Sequence, residues 1–174
     1  HYSIPMPNMP VVTEDIRFFL EHGAKGVMLQ GAYQGPGSAN GILRCWVWAK
    51  QLWDPSLDTQ QLMHDLVYGY YGAAAEPVWK YSQTLWRMWE ENHSKAGAEN
   101  KLRGIGIRYG PDSAFLTDEF IAQASGLFAE AESLAKDAET LRRVKLAKLP
   151  LLYLKVCRAP ETVRGIAADG TNYN

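Results

Sequence analysis

Between Lys25 and Gln30 the chain reads KGVMLQ, a short apolar run of the kind that forms a buried strand, and no second run of comparable quality follows it. A strand covered on both faces loses the strict in-and-out alternation of a half-exposed one, which is how parallel strands read. Such a strand cannot stand alone, because its backbone donors and acceptors need partners. Just before it, Thr13 to Glu21 has the amphipathic spacing of a short helix, with Ile16, Phe18, Phe19 and Leu20, a cap at Thr13 and a stop at Gly23. Helix, glycine turn and apolar strand is the rhythm of an α/β barrel. Residues 1–38 are therefore expected to be the end of a barrel-like unit: loop, helix, strand and glycine-rich loop, with the neighbouring strands in sequence that precedes this chain. His1 to Pro10, with three prolines, reads as an irregular lead-in.

Residues 39–174 read as a separate helical domain. Leu43, Trp46, Val47, Lys50 and Trp53 mark one face of a helix that ends before Asp54-Pro55. Asp58, with Gln61 three residues on, has the form of a capping box for a second helix that Gly72 breaks. A third runs from about Ala74 to Ser94 with Trp79, Trp86 and Trp89 at helical spacing, and a glycine-containing connection spans Gly97 to Gly110. Two long helices come last. One carries the stripe Phe120, Ala124, Leu127, Phe128, Ala131 and Leu134. The other carries Leu141, Val144, Leu146, Leu149, Leu152 and Val156 beyond a junction near Ala138, as in an antiparallel hairpin. The fold class expected is mainly α: a helical bundle preceded by one helix-strand unit that looks like the end of a (β/α) barrel.

The balance of charges excludes some partners. With a net charge of -1 the chain has no excess of Lys and Arg to neutralise phosphates, so no nucleic acid is expected. The apolar run Leu149 to Leu154 is broken by Pro150 and far shorter than the ~20 residues of a membrane-spanning helix, so no span is expected. The chain starts at His1 and stops in the polar run DGTNYN; both ends read as cuts in a longer protein.

Chemistry-bearing residues are sparse. A glycosidase needs two carboxylates roughly 5 to 10 Å apart across the scissile bond. The acids nearest the strand, Glu14, Asp15 and Glu21, belong to the preceding helix and lie on the wrong side for a barrel site, and Asp54, Asp58 and Asp112 read as turn and cap residues. No catalytic residue is assigned. His22, His64 and His93 are isolated, so no metal site is expected, and nothing calls for a cofactor. Cys45 reads as a small core residue, while pairing between Cys45 and Cys157 stays open.

All six tryptophans fall between Trp46 and Trp89, with Tyr68, Tyr70, Tyr71 and Tyr81 among them. Sugar faces stack on such rings, although helically spaced Trp also fills cores. Trp48, two positions from Trp46, is expected to lie outside the main core. The loop Gly31 to Gly41, GAYQGPGSANG, lacks the spacing of a phosphate-binding motif. Around it Gln30, Tyr33, Gln34, Asn40 and Arg44 form a polar and aromatic set suited to hydrogen bonding and stacking with a sugar; the same residues also suit a solvated loop.

Three runs, IRFFLEHGAKGVMLQG, LRCWVWAKQLWDPSLD and LMHDLVYGYYGAAAEPVWKY, cover about a third of the chain, and AKLPLLYLK follows later. They resemble secreted bacterial proteins in which a glycoside-hydrolase-like barrel carries a domain of unknown function, distantly similar to α-glucuronidases and β-hexosaminidases. The resemblance implies a C-terminal part of a glycan-processing protein outside the cytoplasm, extracellular or periplasmic. In it the catalytic carboxylates lie on earlier strands, the helix and strand before the LWDP motif close the barrel, and Gln30, Tyr33 and Arg44 contact the substrate. The partners implied are carbohydrate and the remainder of the parent chain.

Two other readings stand beside this one: a non-catalytic helical module that binds a glycan or a protein through exposed aromatics, and a purely structural bundle. A homodimer formed through the orphan strand is a further expectation, since sheet edges pair with other chains.

Overall fold

The computed structural model describes residues 3–7, 9–31, 38–95 and 110–159. Among these, six α-helices follow one another: α1 (Met9–Glu21), α2 (Gly41–Trp53), α3 (Thr59–Tyr71), α4 (Ala75–Lys95), α5 (Asp118–Leu134) and α6 (Ala138–Arg158). A single turn of 3₁₀ helix, Gly72–Ala74, joins α3 to α4. The mainly helical architecture expected from the sequence is present. α4 packs most extensively on α5, α5 turns back into α6, and α3 lies between α2 and α4. No helix of the described residues is long and apolar enough to cross a membrane.

Local chemistry sets several of the boundaries. Asp58 Oδ1 accepts from the backbone N–H of Gln61 at 2.7 Å, so the cap on α3 sits where its sequence places it. Thr117 and Asp137 cap α5 and α6 in the same way, accepting from Phe120 N at 3.0 Å and Thr140 N at 2.8 Å. α1 ends in a Schellman motif: Ala24 N donates to Phe19 O at 2.9 Å and Gly23 N to Leu20 O at 3.1 Å, with Gly23 at φ +82°.

One apolar cluster runs through the bundle. It contains Ile4 and Met9 from the N-terminal region, Val47 and Trp48 from α2, Val67 from α3, and Tyr81 and Leu85 from α4. Phe120 and Phe128 from α5 and Val144, Leu151 and Leu154 from α6 complete it. The three N-terminal helices are pinned by a buried ring of hydrogen bonds. Thr13 Oγ1 donates to Gln51 Oε1 at 2.9 Å, Gln51 Nε2 to Thr59 Oγ1 at 2.8 Å, and Thr59 Oγ1 back to Thr13 Oγ1 at 2.9 Å.

The structure corrects five sequence expectations. Lys25 to Gln30 is not a strand: no strand is present among the described residues, and Met28 is 86% exposed. An apolar sequence becomes a strand only beside another strand, and the described residues contain no other strand. The first helix starts at Met9, not at Thr13, because Pro10 fits a first turn, where its missing N–H has no helical partner to lose. Thr13 is thus an interior residue that faces the core. On α2 the buried face is Leu43, Arg44, Val47, Trp48 and Gln51, so Trp48 is in the core and Trp53 is 91% exposed. Cys45 is exposed rather than a core residue, and it does not pair with Cys157. On α6 the core takes Val144, Pro150, Leu151 and Leu154, leaving Leu149, Leu152 and Val156 on the outer face. This helix is apolar on both sides, so hydrophobicity alone does not select its inner stripe.

Gln51 is fully buried and supplies two of the three bonds in the ring. Gln51→Leu is expected to cost about 2 kcal/mol, because it takes the amide partner from the buried Thr13 hydroxyl and the half-buried Thr59 hydroxyl and leaves them only each other. Urea unfolding followed by circular dichroism measures this, with Leu52→Gln on the exposed face of the same helix as the near-neutral comparison.

Candidate functional site

The N-terminus of α2, the C-terminal half of α3, the start of α4 and the first half of α6 line a narrow cleft with a cavity of about 30 Å³. Its polar and aromatic lining is Ser38, Asn40, Tyr70, Tyr71, Ser82 and Arg143. Residues 38–40 form the turn that delivers the chain into α2. Asn40 holds φ 51° and ψ 31°, the left-handed region that Asn tolerates better than most side chains. Its carbonyl accepts from Arg44 N at 2.9 Å, and its side chain makes no capping bond. The Ser38 hydroxyl oxygen is fully covered and has no hydrogen-bond partner among the described residues.

Arg143 is the charged group of the cleft. Its guanidinium lies over the Tyr70 ring at 4.2 Å, donates through Nη1 to Tyr70 O at 2.9 Å, and pairs through Nε with Glu139 Oε1 at 3.0 Å. A cation bonded to a carbonyl in the last turn of α3 also meets the negative end of that helix. Burial pushes the Tyr71 hydroxyl above the usual tyrosine range, and Tyr70 adds to this while Arg143 opposes it. Tyr71 is therefore a neutral hydroxyl at any physiological pH. The cleft offers a guanidinium, two tyrosines, two serines and an amide, a set that can hydrogen-bond but holds no carboxylate for acid or base chemistry.

The residues expected at the loop end up in different places. Gln30 is exposed at the end of the irregular segment, and Gly31 lies against α2, where an added Cβ would meet Cys45 Sγ at 3.4 Å. Tyr33 and Gln34 lie outside the described residues. Asn40 lines the cleft. Arg44 is 5% exposed; its Nη1 donates to Met6 Sδ at 3.0 Å and its guanidinium carbon lies 5.5 Å from the centre of the Trp48 ring. It braces α2 against the N-terminal segment from inside the core. Sequence reasoning placed Tyr70 and Tyr71 in an aromatic band without linking them to the loop. It missed Arg143 altogether, because 73 positions separate Arg143 from Tyr70 and no local pattern joins them.

Residues 1–83 match the model of a family described as a domain of unknown function, DUF4838. The matched region holds α1 to α3, the start of α4 and every polar lining residue of the cleft except Arg143. No curated protein and no solved structure matches the chain.

Hydrogen bonds from Arg142 and Arg143 hold the Glu139 carboxyl down at about 2. A carboxyl depressed in the folded state stabilises the fold above its unfolded value, about 4.3, and loses that contribution as pH falls through the folded value. Thermal unfolding between pH 5 and pH 2 is therefore expected to fall less steeply in Glu139→Gln than in the parent. Added salt should narrow the difference, since the Glu139 side chain is 48% exposed.

Proposed function

We propose that this chain is a non-catalytic, carbohydrate-binding part of a glycoside-hydrolase-like protein, supplying one wall of a sugar cleft and a helical support beside a barrel. The observation that carries this reading is the state of residues 18–30. A helix closed by a Schellman motif leads into an irregular apolar segment, and Phe18, Phe19, Leu20 and Met28 are left 43 to 86% exposed. Large apolar side chains gathered in this way mark a surface that is normally covered. The wall of a barrel would cover those side chains together. The cleft lies at the start of α2, and its hydroxyls, amide and guanidinium suit the hydroxyls of a sugar. Gln30 stands at the end of the described segment that follows α1, and Arg44 acts by fixing the first turns of α2.

Titration of the chain with uronic acids, N-acetylhexosamines and short oligosaccharides, followed by ligand-observed NMR, tests the reading. At least one class is expected to bind, with binding weakened about tenfold in Asn40→Ala and in the Gln30→Ala, Tyr33→Ala double variant, the loss of one or two net hydrogen bonds. Chromogenic glycosides should not be turned over. Absence of binding across the panel would sink the proposal.

A second reading, a helical module that docks a protein, is favoured by the outer face of α6, where Leu149, Leu152, Tyr153 and Val156 are 41 to 55% exposed. Sedimentation velocity across a hundredfold range of concentration separates the two as far as self-association goes. A dimer abolished by Leu152→Glu places the interface on α6, whereas one abolished by Met28→Glu places it on the orphan segment.

A further inference from the structure

α6 carries six basic residues, Arg142, Arg143, Lys145, Lys148, Lys155 and Arg158, against one acid, Glu139. The whole chain has a net charge of -1, so the rest of it is net negative and positive charge is gathered on this helix. Two of the six turn inward: Arg143 donates to Tyr70 O at 2.9 Å and Arg158 to Pro111 O at 2.7 Å. Lys148 is held by Glu132 at 3.0 Å. Arg142 and Lys145 are exposed, and Lys145 has no ionic partner among the described residues. Glu139 answers both Arg142 and Arg143, so those three side chains together keep a positive charge.

At about 100° per residue, Arg142, Lys145, Leu149, Leu152, Tyr153 and Val156 fall on one side of the helix, opposite Val144, Leu151 and Leu154 of the core. The four apolar members are the half-exposed ones noted above. From residue 142 to residue 156 the strip is about 21 Å long. The shallow depression along its first half is lined by Ala138, Leu141, Arg142, Lys145, Leu146 and Leu149. Because α6 alone lines it, the face is a ridge rather than a groove.

The charges decide what can cover this ridge. A second copy paired antiparallel through the same face would set Arg142 and Lys145 against Val156 and Tyr153, leaving cations desolvated with no carboxylate opposite. Parallel pairing would set cation against cation. A helical peptide seats its apolar face in a groove, which a ridge does not offer. A planar anionic surface satisfies both the shape and the charge.

We propose that the outer face of α6 is a peripheral membrane-binding surface that seats the chain on an anionic phospholipid bilayer. Leu149, Leu152 and Val156 enter the boundary between headgroups and acyl chains, Tyr153 lies at headgroup level, and Arg142 and Lys145 meet lipid phosphates. The net negative remainder of the chain is repelled by the same surface, which turns α6 towards it. The helix lies on the bilayer, whatever the cleft binds.

The whole chain is floated at low salt with vesicles of phosphatidylcholine and with vesicles of equal parts phosphatidylcholine and phosphatidylglycerol. Binding is expected to the mixed vesicles only, and it should fall as salt is raised. Lys145→Glu is expected to weaken it about tenfold or more, since each charge near an anionic surface is worth about fivefold and this change counts twice. Leu152→Gln, which leaves the charge alone, should weaken it about fivefold. Lys50→Glu, the same charge change on α2, should leave it within about twofold. All three positions are exposed, and circular dichroism checks the folding of each variant. Absence of binding to the mixed vesicles, equal binding to both kinds, or binding that Lys145→Glu and Leu152→Gln leave intact would each overturn the proposal. A concentration-dependent dimer that Leu152→Gln abolishes would overturn it too, giving the face to a second copy.

Discussion

A closed ring of three hydrogen bonds, Thr13 to Gln51 to Thr59 and back, holds the N-terminal half of this protein in register. Each member sits on a different helix, and Gln51 and Thr13 are 0% and 2% exposed. An amide and two hydroxyls buried without partners would be a liability of several kcal/mol; satisfied by one another, they admit a single arrangement of α1, α2 and α3. Apolar packing tolerates sliding and small rotations, but a ring of donors and acceptors does not. Arg17 repeats the constraint at the surface, donating to Pro55 O at 2.9 Å and Leu57 O at 3.3 Å. The start of α2, and with it the cleft, inherits its position from these bonds.

Helix boundaries were legible wherever a side chain with a local role set them. Asp58, Gly23 and Asp54 carry their reasons in their own positions, and the ends they mark agree with the structure. Facing was less legible. On α2, Trp46 and Trp53 look like the inner face because they are large, yet Gln51 must be inside to close the ring, and that turns Trp48 inward with it. On α6 apolar residues stand on two sides of the helix, interleaved with Arg and Lys, so only the neighbours, α3, α5 and the 3₁₀ turn, choose which stripe is buried. The site was half legible. The loop before α2 stands out by its glycines and Asn40 lies in the cleft, but Arg143 comes from the far end of the chain and Ser38 gives no signal except in three dimensions.

The segment Lys25 to Gln30 shows what composition does not determine. Its residues favour a strand, and the Schellman motif before it turns the chain sharply out of α1, as an αβ connection would. Backbone pairing is a property of two segments, however, and propensity in one cannot create the second. The result is an irregular stretch in which Leu29 rests on the core while Met28 points to solvent. The same logic separates this surface from the outer face of α6. There the backbone is already satisfied within the helix, and only side-chain area is left uncovered.

The tyrosines of α3 connect the cleft to the open contact between α3 and α4. Residues in a helix turn by about 100° from one to the next, so Tyr70 points to the other side of the helix from Tyr68, while Tyr71 lies about 60° from it. Tyr68 reaches Glu76 on the open α3–α4 face, while Tyr70 lies under Arg143 and Tyr71 lines the cleft. A shift of α3 along its axis would disturb both at once. Gly72, at φ +52°, lets α3 stop directly after this cluster and α4 start within one turn, which keeps Glu76 opposite Tyr68. The short turn is thus what makes the Tyr68–Glu76 bond between the two helices geometrically available. A longer connection would leave the aromatic run in place but not the carboxylate that faces it.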